Sequence, residues 1–179
     1  HVRAEFGDAI DCVLDGGETD VGIESTIVDL SGARPALLRP GRITAAELER
    51  ALGVPLAAPD AGAPRAPGTL ARHYAPQTML IVTELDLLME LAATLTRVGR
   101  KVAVLALTER RPVHDQLLWM AAPNDAAAYA HALYANLRAL DEAGCDAILV
   151  ERPPQGAAWM AINDRLARAS AGIPAREET

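Results

Sequence analysis

Lys101-Val-Ala-Val-Leu-Ala-Leu107 is the stretch that decides the fold class. Behind the lysine the apolar residues run on without a polar break. That pattern belongs to a strand buried on both faces, not to one alternating between core and water. Such a strand needs helices above and below it, and the flanking sequence supplies them. Upstream, Met79–Val82 reads as a short strand. Thr83 and Asp86 then open a helix with Leu85, Leu88, Met89, Ala92 and Leu95 at helical spacing. Downstream, Leu117–Met120 reads as another strand. Asn124 or Asp125 caps a helix reaching Ala143, with Tyr129, Leu133, Leu137 and Leu140 along one side. Asp146–Val150 is a strand and Trp159–Ala171 a closing helix. Strands alternating with helices define an α/β domain, a small parallel sheet flanked by helices.

The first third reads differently. Residues 10–15 look like a strand ended by Gly16-Gly17, and residues 23–30 and 35–38 like two more, the last stopped by Pro40-Gly41. Thr44-Ala-Ala-Glu47 is a capping box opening a helix that reaches Leu52 and stops at Gly53. His1–Gly7 reads as the end of a helix closed by glycine, so the first domain is expected to begin upstream. Residues 54–69 carry four prolines and two glycines with no period, a semi-rigid linker that runs on to Pro76. The expected organisation is a partial first domain over 1–53, a linker over 54–76 and a second domain over 77–179.

Composition narrows the function classes. Half of the 179 residues are hydrophobic but only 3% are aromatic, so the core must be built from Ala, Leu, Val and Ile. A net charge of -7 with no basic stripe argues against primary nucleic-acid binding. No apolar run approaches the roughly 18 residues of a membrane span. Cys12 and Cys145 are isolated, which fits a reducing cytoplasm and neither a disulfide framework nor a CxxC site. His114 and His131 stand apart from any Cys/Asp/Glu cluster, so no metal site is expected. Neither a dinucleotide fingerprint nor a phosphate loop is present.

The chemistry-bearing candidates lie in the first half. In Gly22-Ile-Glu-Ser-Thr-Ile-Val-Asp29 a β-branched run is preceded by two hydroxyls, Ser25 and Thr26. In Leu37-Leu-Arg-Pro-Gly41 a lone Arg39 sits at a strand exit. Hydroxyls in a strand can simply bond neighbouring backbone, and a strand-end arginine can simply be solvated. Together they can hold a small anionic ligand, the guanidinium gripping phosphate or carboxylate with two N–H groups. His73-Tyr74 in the linker either pins the chain or stacks on a flat ring. Glu24 is a lone carboxylate. Glu151-Arg152 follows a strand where open α/β sheets place ligands, and Asn163-Asp164-Arg165 is either a polar helix face or a domain contact.

In fixed order, Asp15-Gly-Gly17, Gly22–Asp29, Leu38-Arg-Pro-Gly41 and Pro67-Gly-Thr-Leu-Ala-Arg-His-Tyr-Ala-Pro76 resemble the Sua5 branch of the Sua5/YciO/YrdC family, the L-threonylcarbamoyladenylate synthases. Asp146–Pro154 and Ala161–Ala169 look like that branch's extra domain. The resemblance covers nearly the whole chain. It implies the C-terminal portion of a YrdC-like α/β domain, a Pro-rich linker and a small Rossmann-like Sua5 domain. The family's upstream Lys-x-Arg and Ser-x-Asn motifs do not occur here, and Thr69 replaces the usual methionine of the linker motif.

The implied chemistry condenses L-threonine, bicarbonate and ATP to threonylcarbamoyl-AMP with release of pyrophosphate. Mg²⁺ assists, and these 179 residues alone are expected to be inactive. The product passes to the tRNA threonylcarbamoyl transferase, with at most weak contact to tRNA and none to a membrane. By the resemblance Ser25 and Thr26 would hold threonine, and Arg39, His73 and Tyr74 would hold ATP. Two other classes stay open: a regulatory module gating a YrdC-like domain, and a carbamoyl-transfer maturation factor sharing that fold.

Overall fold

A computed structural model of the protein describes residues 2–60, 62–68, 70, 75–108, 112 and 114–171. The deciding run forms β4 (Val102–Ala106), and each of its side chains is at most 1% exposed. Strand β4 lies between β5 (Leu117–Ala121) and β6 (Ala147–Glu151), and β6 pairs in turn with β3 (Met79–Thr83). All three pairings are parallel, with Val102 opposite both Leu117 and Ala147. The chain reaches β4 through helix α3 (Leu85–Arg97) and returns to β6 through α4 (Ala126–Glu142); α5 (Met160–Ala169) follows.

The two faces of β4 are covered by different helices. Leu88 and Ala92 of α3 pack against Val102, Val104, Ala106 and Leu149. On the other face, Leu133, Leu137 and Leu140 of α4 and Ile162 and Leu166 of α5 pack against Ala103, Leu105, Ile148 and Val150. Each buried leucine or isoleucine contributes roughly 1.5–3 kcal/mol, so an aliphatic core suffices without many rings. Asp125 caps α4 by accepting the Ala128 N–H at 2.9 Å. Thr83 does not open α3, contrary to the expectation. It is buried as the last residue of β3, its carbonyl accepts the Arg152 N–H, and Glu84 takes the cap position without a side-chain bond.

The N-terminal third is thinner. Helix α1 (Val2–Phe6) ends in a 3₁₀ turn at Gly7–Ala9. Residues 10–15 form no strand, which corrects the expectation. A strand needs a ladder partner and a face to bury, yet Leu14 is 90% exposed. The strand expected over 23–30 shrinks to β1 (Ile27–Asp29), antiparallel to β2 (Ala36–Arg39) with an irregularity between Ile27 and Val28. Helix α2 (Ala45–Leu52) carries the expected Thr44–Glu47 capping box and ends on Gly53 in the left-handed region, φ 71°. The linker begins against β2, where the Ala57 N–H donates to the Pro35 carbonyl at 2.7 Å. Among the described residues no helix is long and apolar enough to cross a membrane.

Candidate functional site

Residues 22–26 leave the β1 ladder, and what they contact explains why. At Gly41 a Cβ would lie 2.3 Å from the Thr26 nitrogen and 2.7 Å from the Ser25 carbonyl carbon. Only glycine lets the Arg-Pro-Gly exit of β2 lie across this backbone. That crossing brings Arg39 to Ser25. Arg39 is 6% exposed; its Nε and Nη2 donate to the Ser25 carbonyl at 3.1 and 2.8 Å, and Nη2 lies 3.5 Å from Ser25 Oγ. Its Nη1 donates to the Pro67 carbonyl in the linker at 2.7 Å. These partners are neutral carbonyl and hydroxyl oxygens, so the cation's charge is not cancelled by them, and it contacts the exposed Ser25. A charge held in that way projects a positive potential onto the adjoining surface.

The other candidates separate. Thr26 Oγ1 donates to the Ile43 carbonyl at 2.8 Å, away from Arg39. His73 and Tyr74 lie outside the described residues. Glu151 accepts the Leu107 and Thr108 N–H groups at 2.8 and 3.2 Å, and Arg152 pairs with Glu84 at 2.7 Å. Those bonds tie the C-terminal ends of neighbouring strands together. His131 stands 3.8 Å from Glu18. Among the described residues no group of three or more His, Cys, Asp or Glu is arranged to hold a metal ion.

Glu24, which the sequence presents as a lone carboxylate, is the centre of a cross-domain network. Arg165 of α5, its side chain 3% exposed, donates from Nε to Glu24 Oε2 at 2.6 Å, and the Tyr134 hydroxyl of α4 lies 3.1 Å from both Glu24 oxygens. Burial pushes the Glu24 carboxyl up, but the Arg165 hydrogen bond, a backbone bond, the Arg165 charge and the Tyr134 hydroxyl outweigh it and hold the pKa below the ordinary value. For Arg165, burial pulls down and the Glu24 and Asp164 contacts raise it further, so the pair is charged. Gly22 completes the junction. Its φ is 77°, and a Cβ there would lie 2.4 Å from the His131 Cα and carbonyl oxygen of α4. Between the two parts lies a cavity of about 320 Å³, walled by Ile23 and Ile43 on one side and by Ala126, Ala130, Ala161 and Ile162 on the other.

The two alternatives for Asn163-Asp164-Arg165 divide: Arg165 makes the domain contact with Glu24, Asn163 donates to the Pro154 and Trp159 carbonyls, and Asp164 pairs with Arg165 and Arg168 within α5. Sequence reasoning missed Tyr134 and Arg168. One signal was available for the latter, since Asp164 and Arg168 stand four apart, the spacing of a helical ion pair.

The fold and junction define a class: a helix-flanked parallel α/β sheet whose last helix is tied by an ion pair to the segment ahead of a short antiparallel strand pair. Residues 43–171 match the family described as "Threonylcarbamoyl-AMP synthase, C-terminal domain", and residues 1–41 match the Sua5/YciO/YrdC family, described as "Telomere recombination". The threonylcarbamoyl-AMP synthase of Pyrococcus abyssi is 33% identical over 95% of this chain and 52% of its own length. That of Bacillus subtilis is 32% identical over 96% of this chain and 52% of its own. The crystal structure of P. abyssi Sua5 complexed with L-threonine superposes with a TM-score of 0.78 at 32% identity, covering 95% of this chain and 52% of that one. The chain belongs to the threonylcarbamoyl-AMP synthase family, in its Sua5 branch, and spans about half the length of the relatives it matches.

Proposed function

We propose that this chain is part of an enzyme that condenses L-threonine, bicarbonate and ATP into threonylcarbamoyl-AMP with release of pyrophosphate, for transfer to tRNA. The observation that carries this is the pairing of Ser25 with a buried Arg39 whose partners are neutral carbonyls, in a chain of this family. A solved relative is described as complexed with L-threonine, which supports threonine as a ligand. Ser25 donates to the threonine carboxylate, and Thr26 holds the strand in place through Ile43. Arg39 lowers the cost of bringing the carboxylated amino acid, itself an anion, to the α-phosphate of ATP; such field effects are the usual source of catalysis when like charges must approach. Magnesium enters as the ATP complex, part of the substrate. No residue of this chain is assigned to it. His73 and Tyr74 are assigned to the nucleotide on the family resemblance.

The test is pyrophosphate release by the full-length protein with all three substrates. Ser25→Ala removes one exposed hydroxyl and should raise the KM for L-threonine at least about fivefold, one hydrogen bond to a charged group. An unchanged KM removes Ser25 from the site.

A further inference from the structure

Two arginines from distant parts of the chain hold the backbone on either side of Ser25. Arg165 of α5 donates from Nε to the Glu24 carboxylate at 2.6 Å and reaches the Glu24 carbonyl with Nη2 at 3.4 Å. The Tyr134 hydroxyl of α4 lies 3.1 Å from both oxygens of the same carboxylate. Arg39 of β2 donates twice to the Ser25 carbonyl, at 3.1 and 2.8 Å. The Glu24 carbonyl belongs to the peptide plane that enters Ser25, and the Ser25 carbonyl to the plane that leaves it.

Planarity turns these contacts into a constraint on the side chain. A peptide unit is rigid, so only φ and ψ of Ser25 can turn one plane against the other. Holding both planes fixes both angles, and with them the direction of the Cα–Cβ bond. The hydroxyl is left with the staggered positions about χ1, and Arg39 Nη2, 3.5 Å from Oγ, favours the one facing the guanidinium. The entering plane depends on Arg165 and Tyr134, which stand 141 and 110 positions away from Glu24. The Arg165 side chain is 3% exposed and that of Glu24 21%, so water competes little for the grip. Buried ion pairs rarely stabilise a fold more than apolar packing does, and their best-attested use is to fix register. What is fixed here is the backbone beside an exposed serine.

We propose that Arg165 and Tyr134 are positioning residues for the ligand at Ser25: by holding Glu24 they aim the Ser25 hydroxyl at the carboxylate of the amino acid. The ligand half of this statement rests on the function proposed above; the clamp on the backbone does not.

Kinetics on the full-length protein test the aiming. Arg165→Gln should raise the KM for L-threonine at least about threefold with kcat changed less. In a Ser25→Ala background the same substitution should change that KM by less than about 1.5-fold, because a residue acting through another loses its effect once the other is gone. Equal factors in the two backgrounds overturn the aiming, as does an unchanged KM in the single variant. Tyr134→Phe leaves the ion pair in place and so keeps the fold; it should raise the KM about twofold, and an unaltered KM removes Tyr134 from the device. Amide hydrogen exchange on the 179-residue chain reads the clamp without substrate. In Arg165→Gln the peptide covering residues 20–30 should exchange at least about tenfold faster, as for a locally opened segment, while peptides from β4 and β6 change less. Unchanged exchange over 20–30, or an equal rise in β4 and β6, overturns the clamp. If the wild-type full-length protein releases no pyrophosphate, the proposed function fails and the aiming with it, and exchange alone decides the clamp.

Discussion

Glu24→Ala is the most direct probe of how the two parts are joined. The substitution removes the 2.6 Å charge-assisted bond from Arg165 and the acceptor of the Tyr134 hydroxyl. Breaking one side of a buried ion pair costs about 3–5 kcal/mol, because the remaining charge stays buried. Two features reduce that figure here. Arg165 keeps its bond to Asp164, and the Glu24 side chain is 21% exposed. The expected loss is therefore about 2–3 kcal/mol, which for a chain of this size lowers Tm by roughly 4–12 °C. Glu24→Gln keeps an acceptor for Tyr134 and should lose about half as much, consistent with one hydrogen bond to a charged group. The assay is urea unfolding followed by tryptophan fluorescence. Trp159 precedes α5 and meets the Tyr129 ring edge-on at 5.6 Å, so it reports on the helix that carries Arg165. Combined with Arg165→Met in a double-mutant cycle, the coupling should be at least about 1.5 kcal/mol. It should also survive added salt, which screens exposed charges far more than buried ones. A Glu24→Ala chain within about 0.5 kcal/mol of wild type, or additive single variants, would refute a buried cross-domain pair.

Two further outcomes follow from the same junction. Gly22→Ala places a methyl group 2.4 Å from the α4 backbone at a left-handed φ; strain and overpacking together should cost about 2–4 kcal/mol in urea unfolding, and a stabilised chain would mean that α4 does not abut Gly22. Because the Glu24 pKa is lowered on folding, its contribution is fully present above the ordinary carboxylate range and is lost as pH falls through the lowered value. Acid titration of Glu24→Gln should therefore show a shallower loss of stability below about pH 4.5 than wild type, and identical acid profiles would exclude the carboxylate as the titrating group.

How much was legible depended on whether the cause was local. The run Val102–Ala106 announced a strand covered on both faces, and α3 and α4 cover it from opposite sides. The capping box at Thr44 and the stop at Gly53 need only neighbours in sequence, and both occur as read. Residues 10–15 show the limit. Their composition suits a strand, but a strand is held by hydrogen bonds to another segment, and among the described residues none pairs with them. The motif Gly22–Asp29 was visible as unusual, yet its parts could not be assigned roles, because each answers to something distant in sequence. Gly22 meets α4, Glu24 meets α5, Ser25 meets Arg39, and Thr26 meets Ile43.

The sequence by itself determined most of the secondary elements of the C-terminal part, the parallel α/β class and, through the order of its motifs, the family. Those properties rest on periodicity and on short-range caps and turns, which the chain carries locally. Tertiary structure decided that Glu24 is a domain tie and no solitary acid. It also decided that Arg39 faces carbonyl oxygens both just ahead of β1 and at Pro67, and that Arg165 is a junction residue and not a surface one. The reason is burial. An ion pair or a buried cation acquires its strength and its role only when packing removes water from around it, and that packing joins residues up to 141 positions apart.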